Sequence, residues 1–103
     1  MKLLTKELLK IIPKPYSSEN ISLENKMVYA KFFTPWTIWT WYVCEYNPED
    51  RTFFGFVEGF EGEWGYFALE ELESIEHFSG LKVERDIFFK PCKFSEIKDL
   101  ATI

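Results

Sequence analysis

The feature that most constrains this chain is a dense aromatic run, KFFTPWTIWTWYVCEY, which spans residues 31–46. Seven of its sixteen residues are aromatic, and no cation lies between Lys31 and Arg51. Aromatic and β-branched residues favour strands, and the side chains of a strand alternate between the two faces of a sheet. The run therefore predicts β-structure, and it leaves open whether its rings form a buried core or a surface that stacks on a partner.

Length and composition indicate one domain over residues 1–103, long enough to bury a hydrophobic core. No apolar run approaches the ~20 residues that a membrane span needs. The N-terminal stretch MKLLTKELLKIIPKP lacks the apolar region and the cleavage site of a signal peptide. Without a secretion signal, Cys44 and Cys92 are expected to be reduced thiols, so we expect a cytoplasmic protein with no membrane contact.

The net charge of −5 is concentrated in the middle of the chain. Residues 45–76 carry −9, with Arg51 as their one basic residue, whereas residues 1–31 carry +3. Surfaces that bind single strands combine rings with Lys or Arg, and acidic residues repel phosphate. The charge therefore argues against nucleic acid as a partner. It leaves open nucleic-acid mimicry, in which an acidic stripe occupies a basic groove on a DNA-binding protein.

Periodicity and turn residues predict an α+β domain with an antiparallel meander of four to five strands. Strands are predicted over residues 27–33, 39–46, 53–60, 63–68 and 85–90. Helices are predicted at the N-terminus over residues 5–12, after the third hairpin strand over residues 69–78, and near the C-terminus over residues 95–100.

The loop NPEDRT predicts a pairing of the two central strands in which Tyr46 lies opposite Phe53. An uninterrupted ladder in this register produces one almost wholly apolar face, which we expect to be the main core. That face consists of Trp39, Trp41, Val43, Phe54, Phe56, Phe60 and Phe67. The other face mixes hydroxyl groups, glycines and large rings, and it places Trp64 over Gly59.

This second face offers a candidate contact surface made of Tyr42, Tyr46, Trp64 and Tyr66. Rings with a polar group suit interfaces that are partly wet. Rings in strands more often serve packing, so the alternative is a second core layer beneath the N-terminal segment. A candidate acidic surface lies on the predicted helix, where the alternative is an ordinary solvated face; it consists of Glu70, Glu71, Glu73 and Glu76.

The sequence carries few of the patterns that support catalysis. Two cysteines and one histidine, far apart in the chain, do not make a zinc site, and no phosphate-binding glycine motif occurs, so we predict no metal and no cofactor. Glu45 and Glu58 would lie ~14 Å apart along the predicted strands, which is too far for a glycosidase pair. If the protein is an enzyme, its polar site is drawn from Glu45, Glu58, Arg85, Asp86 and His77. Glu58 is expected at a solvated edge, the alternative being a buried carboxylate with a partner such as Lys31 or Arg85.

Several stretches together resemble a known bacterial family. They are LLTKEL, PYSSE, KFFTPWTIWTWYV, FFGFVEGFEGEWGYFALEELESI and GLKVERDIFFKP, and they look like the bacterial domain-of-unknown-function family 2958 over nearly the whole chain. The resemblance implies a small cytoplasmic protein carried on plasmids, conjugative elements or phages among antirestriction and DNA-processing genes. Some similar proteins are labelled single-stranded DNA endonucleases. The chain differs from that pattern in its short NPEDRT loop and in Ala68, where a capping Ser is usual, and Ala68 predicts a weaker helix start.

These observations favour a non-catalytic accessory or protein-interaction module of a mobile genetic element, present as a monomer or weak homodimer with a protein as its partner. The alternatives are a nucleic-acid-processing enzyme similar to a single-stranded DNA endonuclease, and an acidic nucleic-acid mimic acting in antirestriction. A carboxylate cluster in a pocket would favour the enzyme, and an exposed aromatic patch would favour the interaction module.

Overall fold

The fold is built around an antiparallel sheet of five strands, which confirms the α+β class predicted from the sequence. The computed structural model describes residues 1–97. The strands are β1 (Met27–Val28), β2 (Ala30–Phe33), β3 (Thr40–Asn47), β4 (Thr52–Glu58), β5 (Gly62–Ala68), β6 (Glu84–Arg85) and β7 (Cys92–Lys93). The helices are α1 (Lys6–Ile11) and α2 (Leu69–Ser74), and two 3-10 turns cover Leu23–Asn25 and Phe94–Glu96. The sheet order β5-β4-β3-β2-β6 confirms the meander, and β1 pairs with β7 in a separate ribbon.

The two α-helices begin where the sequence predicts, and the second is shorter than expected. Thr5 caps α1 by accepting a hydrogen bond from the backbone N–H of Leu8 at 3.2 Å. Helix α2 begins at Leu69, and Ala68 in the capping position provides no side-chain hydrogen bond, as an alanine predicts. The helix ends at Ser74 instead of continuing to residue 78. Its last turn contains no basic residue, and acidic groups near a helix C-terminus are unfavourable. Glu76 instead joins a short bridge to Lys82.

The predicted strand over residues 85–90 is wrong beyond Arg85. The chain turns at Asp86, whose carboxylate Oδ1 accepts from the N–H of Phe88 at 2.9 Å and whose carbonyl accepts from the N–H of Phe89. Strand β2 still offers a partner here, because the Lys31 carbonyl accepts from the N–H of Asp86 at 2.9 Å, so the turn and not the lack of a neighbour ends β6. An aspartate side chain bonded to its own following backbone stabilises such a turn.

The predicted C-terminal helix is reduced to a single 3-10 turn over Phe94–Glu96 in the described residues. Lys93, and not Ser95, occupies the capping position, and its N–H donates to Glu96 Oε1 at 2.8 Å. The rest of the predicted helix, residues 98–100, lies outside the described residues.

The pairing of β3 with β4 follows the predicted register only next to the loop. Tyr46 faces Phe53 as predicted, but the register shifts between Val43 and Glu45, so that Val43 faces Gly55 instead of Phe56. A Cβ atom at residue 55 would lie 1.8 Å from the carbonyl oxygen of Tyr42, so only glycine allows the two backbones to approach here. Because the bulge adds one residue to β3, every later side chain of β3 lies on the face opposite to the one that simple alternation predicts.

The bulge redistributes the aromatic rings between two cores, one on each face. The first core lies under α1 and α2 and contains Leu3, Leu4, Ile12, Ala30, Phe32, Trp41, Val43, Tyr46, Phe53, Phe67, Leu69, Leu72 and Val83. The second core contains Val28, Tyr42, Cys44, Phe56 and Phe94, with Phe54 and Trp64 packed against it.

The predicted face is therefore right for Trp41, Val43 and Phe67, and also for Trp39, which packs against the first core. It is wrong for Phe54 and Phe56, which belong to the second core, and for Phe60, which is exposed. The indole that covers Gly59 is that of Trp39 and not that of Trp64.

Candidate functional site

The four rings of the candidate contact surface do not form one open surface. Tyr42 is 2% exposed beneath the second core, and Tyr46 is buried in the first core because the bulge reverses its direction. Trp64 is partly buried against Phe94, with ring centroids 4.7 Å apart. Tyr66 is 64% exposed and is the one ring of the four that faces solvent. This face is covered by the 3-10 turn that carries Phe94 and by β1, and the segment before β1 covers it at Cys44 and Glu45.

Glu45, a candidate acid of the polar site, holds the chain segment before β1 against the sheet. Its carboxylate accepts hydrogen bonds from the N–H of Tyr16 at 2.9 Å, from the N–H of Ser18 at 3.3 Å and from the Ser18 hydroxyl. The Lys26 ammonium donates to the Ser18 carbonyl at 2.5 Å and to its hydroxyl at 3.0 Å. Glu45 and Lys26 are both buried, so this network satisfies two buried charges. Lys26 and Ser18 are not among the residues predicted from the sequence, although a glutamate within an apolar strand signals that a buried partner exists.

The thiol of Cys44 lies beside this network and stays protonated at neutral pH. Burial raises the pKa of Cys44 to about 12, while Lys26 lowers it and Glu45 raises it further. Desolvation and then Glu96 also raise the pKa of the Cys92 thiol. Since the thiolate is the nucleophilic form, neither cysteine is activated for covalent chemistry.

Arg85 and Asp86 are the two members of the candidate polar site that the structure brings together. They line a groove of about 500 Å³ beside β2 and β6, together with Lys31. The Arg85 guanidinium donates to the backbone carbonyls of Lys2 and Leu3, so it is committed to holding the N-terminus. Lys31 and Asp86 form a loose ion pair with 3.9 Å between Nζ and Oδ2.

The remaining acids and the histidine of the polar site lie elsewhere. Glu58 faces Thr40 across the β3–β4 ladder, and its Oε2 atom is buried without a hydrogen-bond partner among residues 1–97. Glu45 lies near the opposite end of β3, and His77 follows α2. Over the described residues, no group of three or more His, Cys, Asp or Glu side chains is placed to hold a metal ion.

The candidate acidic surface is largely ion-paired. Arg51 contacts Glu70 at 3.2 Å and Glu73 at 3.6 Å, and Lys82 contacts Glu76 at 3.5 Å. The side chains in these pairs are between 47% and 74% exposed, so each pair adds little stability. The pairs do reduce the free negative charge that the helix offers to a partner.

A row of aromatic rings, here called the aromatic ridge, crosses the end of the sheet where β2 turns into β3. It runs through Phe78, His77, Trp36, Trp39 and Phe60. Ring centroids are 4.1 Å apart for His77–Phe78, 5.3 Å for Trp36–His77 and 5.8 Å for Trp39–Phe60. Phe60 is 90% exposed and Phe78 is 97% exposed, so both ends of the ridge project into solvent.

Between Trp36 and Trp39 the ridge opens into a cavity of about 350 Å³, here called the tryptophan pocket. Its lining consists of Thr34, Trp36, Thr37, Trp39, Trp41 and Ile75, and carries no charged side chain. The loop that forms it is fixed internally, because the N–H of Thr34 donates to the Trp39 carbonyl at 3.0 Å and the Thr34 and Thr37 hydroxyls contact each other. The pocket is therefore formed before any ligand arrives.

This site is not predicted from the sequence, because its rings lie in turns. The sequence predicts a break between strands at TPWT, a core position for Phe60 and a helix end at Phe78. A signal was available in WTIW, where two indoles flank an apolar residue directly after a proline turn.

The chain belongs to the family described as Protein of unknown function (DUF2958), which it matches over residues 3–102. This confirms the resemblance found in the sequence. Comparison with curated proteins and with solved structures gave no match. In the described part of the chain, no helix has the length and apolar character needed to cross a membrane.

Proposed function

We propose that the protein is a non-catalytic protein-interaction module that binds its partner through the tryptophan pocket and the aromatic ridge. The observation that carries this proposal is a preformed pocket walled by three indoles and flanked by Phe60 and Phe78, which are 90% and 97% exposed. The rings between them are half-buried, and an apolar patch that is partly open to solvent in this way marks an interaction surface.

The arrangement has the anatomy of a binding hot spot. Hot spots are rich in Trp and place a pocket at the centre of rings that exclude water. Burial of an exposed phenylalanine ring contributes about 1.5–3 kcal/mol, so Phe60 and Phe78 together offer roughly 3–6 kcal/mol before association costs. The hydrogen-bonded loop lowers the ordering cost, since its indoles are already positioned.

Charge around the pocket suggests the chemistry of the partner. Glu61 follows Phe60 in the β4–β5 turn, and Glu76, which is already paired with Lys82, follows Ile75 of the pocket wall. The lining itself is neutral. The proposed partner therefore presents an apolar or aromatic side chain for the pocket with Lys or Arg beside it, and its binding should weaken with added salt.

The enzyme alternative has less support from the geometry. Glu45 and Arg85 are bound to the protein's own backbone, and the other candidates lie apart. Membership of the family is consistent with an accessory protein of a mobile genetic element, and we propose that the partner is a protein of that element or of its host.

The test compares ridge variants with a matched aromatic control. Phe60→Ser combined with Phe78→Ser should abolish capture of a partner that the wild-type protein retains from host lysate. The double variant should also bind the purified partner with an affinity that is lower by roughly 100-fold or more, equivalent to about 3 kcal/mol. Phe88→Ser removes a ring that is 85% exposed outside the ridge and should leave binding unchanged. Equal capture by wild type and the double variant, with both folded by circular dichroism, would refute the proposal.

A further inference from the structure

Within residues 1–97, β5 forms a long uncovered edge of the sheet, with Glu63 as its one charged residue. It pairs with β4 through all seven residues, in one uninterrupted register. Across residues 1–97, no backbone hydrogen bond reaches its outer side. Natural edge strands are usually short, bulged, covered, or marked by Lys or Pro. The sequence GEWGYFA contains neither residue, whereas the opposite edge, β6, is only two residues long.

We infer that β5 is a self-association edge, through which two copies of the chain pair antiparallel about a two-fold axis at Gly65. The pairing joins two five-stranded sheets into one continuous sheet of ten strands. It does not depend on the proposed function of the aromatic ridge. A Cβ atom built at Gly65 meets nothing within 4 Å in the same chain, so the monomer tolerates the substitutions at this position that test the pairing.

The register about Gly65 is self-complementary. Across an axis at Gly65, a residue that lies a given number of positions before Gly65 in one copy faces the residue that lies the same number after it in the other. Trp64 of one copy therefore faces Tyr66 of the other. On the second face, Phe54 already contacts Trp64 and Tyr66, with ring centroids 5.9 Å and 5.1 Å apart. The second copy extends this group of rings across the interface, and cross-strand aromatic pairs each contribute about 0.2–1 kcal/mol.

Charge placement does not oppose a second copy at the axis itself. Glu63 faces Phe67 of the other copy, so the axis does not oppose two carboxylates. Glu61 approaches the start of α2 in the other copy, where the N–H of Leu69 bonds to the carbonyl of Arg51. Arg51 of that copy is already paired with Glu70 and Glu73 of its own chain, so Glu61 adds negative charge beside α2 and weakens the pairing. Like charges directly opposite would have opposed the pairing.

The interface is small, which predicts a weak dimer. One edge strand with two rings can bury less surface than the ~800 Å² that each partner buries in a standard stable interface. Two copies should therefore exchange, and the mass should depend on concentration. Sedimentation equilibrium of the full chain should give a mass that rises from the 12.3 kDa of the monomer towards twice that value between about 10 µM and 1 mM.

Cysteine trapping tests the position of the axis. Gly65→Cys in a Cys92→Ser background places two thiols opposite each other. A mild oxidant, or a short bifunctional reagent that alkylates thiols, should crosslink this variant at least tenfold faster than Glu49→Cys in the same background. Gly65→Lys places two cations at the axis and should remain monomeric at 1 mM. Crosslinking at Gly65→Cys no faster than at the exposed-loop control, or a monomeric mass for wild type at every concentration, would overturn the inference.

Discussion

Replacement of Glu45 by glutamine tests whether the buried polar network fixes the segment before β1 to the sheet. The carboxylate accepts two backbone N–H bonds, from Tyr16 and Ser18, and one from the Ser18 hydroxyl. Tyr16 has a positive φ of 64°, a left-handed conformation that a tyrosine adopts only when its surroundings hold it. The network therefore constrains a strained backbone as well as two charges.

The structure sets the expected magnitude. Glutamine keeps the shape of the side chain but has only one acceptor oxygen, so at least one of the two N–H groups meets an NH2 group instead. A buried donor without an acceptor costs about 1–3 kcal/mol, and bonds to a charged group are worth about 1.5–3 kcal/mol against 0.5–1.5 for neutral ones. Lys26 also remains buried without the opposing charge. We expect the free energy of unfolding to fall by about 3 kcal/mol, and Tm by roughly 10–15 °C.

Urea unfolding followed by tryptophan fluorescence measures this loss. Glu49→Gln, in the neighbouring exposed loop, is the matched control and should change the free energy of unfolding by less than about 0.5 kcal/mol. Combination of Glu45→Gln with Lys26→Met should cost less than the sum of the single changes, because the double variant removes both buried charges. A loss below about 1 kcal/mol for Glu45→Gln, or strict additivity with Lys26→Met, would show that the network contributes little.

Two further predictions concern the bulge between β3 and β4. Gly55→Ala should lower the free energy of unfolding by about 3 kcal/mol or more, because its Cβ would lie 1.8 Å from the Tyr42 carbonyl oxygen and would force the two backbones apart. Thermal unfolding measures this loss, with Gly65→Ala as a control that should behave like wild type. Equal Tm values for the two variants would contradict the reasoning. Burial raises the pKa of Cys44 to about 12 from its ordinary 9.0, so above pH 9 the unfolded chain loses this proton first and the folded state loses stability. The stability of wild type relative to Cys44→Ala should therefore fall by up to about 1.4 kcal/mol per pH unit between pH 9 and 12, and a constant difference would rule out this titration.

The elements could be predicted where local chemistry decides them. Thr5 caps α1 because its hydroxyl reaches an N–H three residues along, and the sequence contains both partners. The register beside NPEDRT follows from loop length, and it holds for Tyr46 and Phe53. The end of β6 is not predicted, because the strand propensity of Ile87, Phe88 and Phe89 conceals the turn that the Asp86 carboxylate forms with the N–H of Phe88.

The faces of the sheet could not be predicted, because one extra residue at the bulge reverses every later side chain. That bulge depends on the approach of the Tyr42 carbonyl to Gly55, a contact between two strands that no local pattern contains. The candidate contact surface consequently combined rings from both faces, and Tyr42 and Tyr46 proved to be buried in different cores. The aromatic ridge lies in turns, where neither strand alternation nor helical periodicity indicates which side chains are exposed.

The position of the tryptophan pocket has a consequence for how a dimer would bind. Antiparallel pairing through β5 reverses the direction of the second copy, so the turn that carries Phe60 in one copy lies near the start of α2 in the other. The two pockets then occupy opposite ends of the ten-stranded sheet. A single short partner segment could not reach both, and each copy would bind its own partner at its intrinsic affinity. A dimer of this geometry would therefore bridge two partner molecules and would add avidity only for a partner that is itself multivalent.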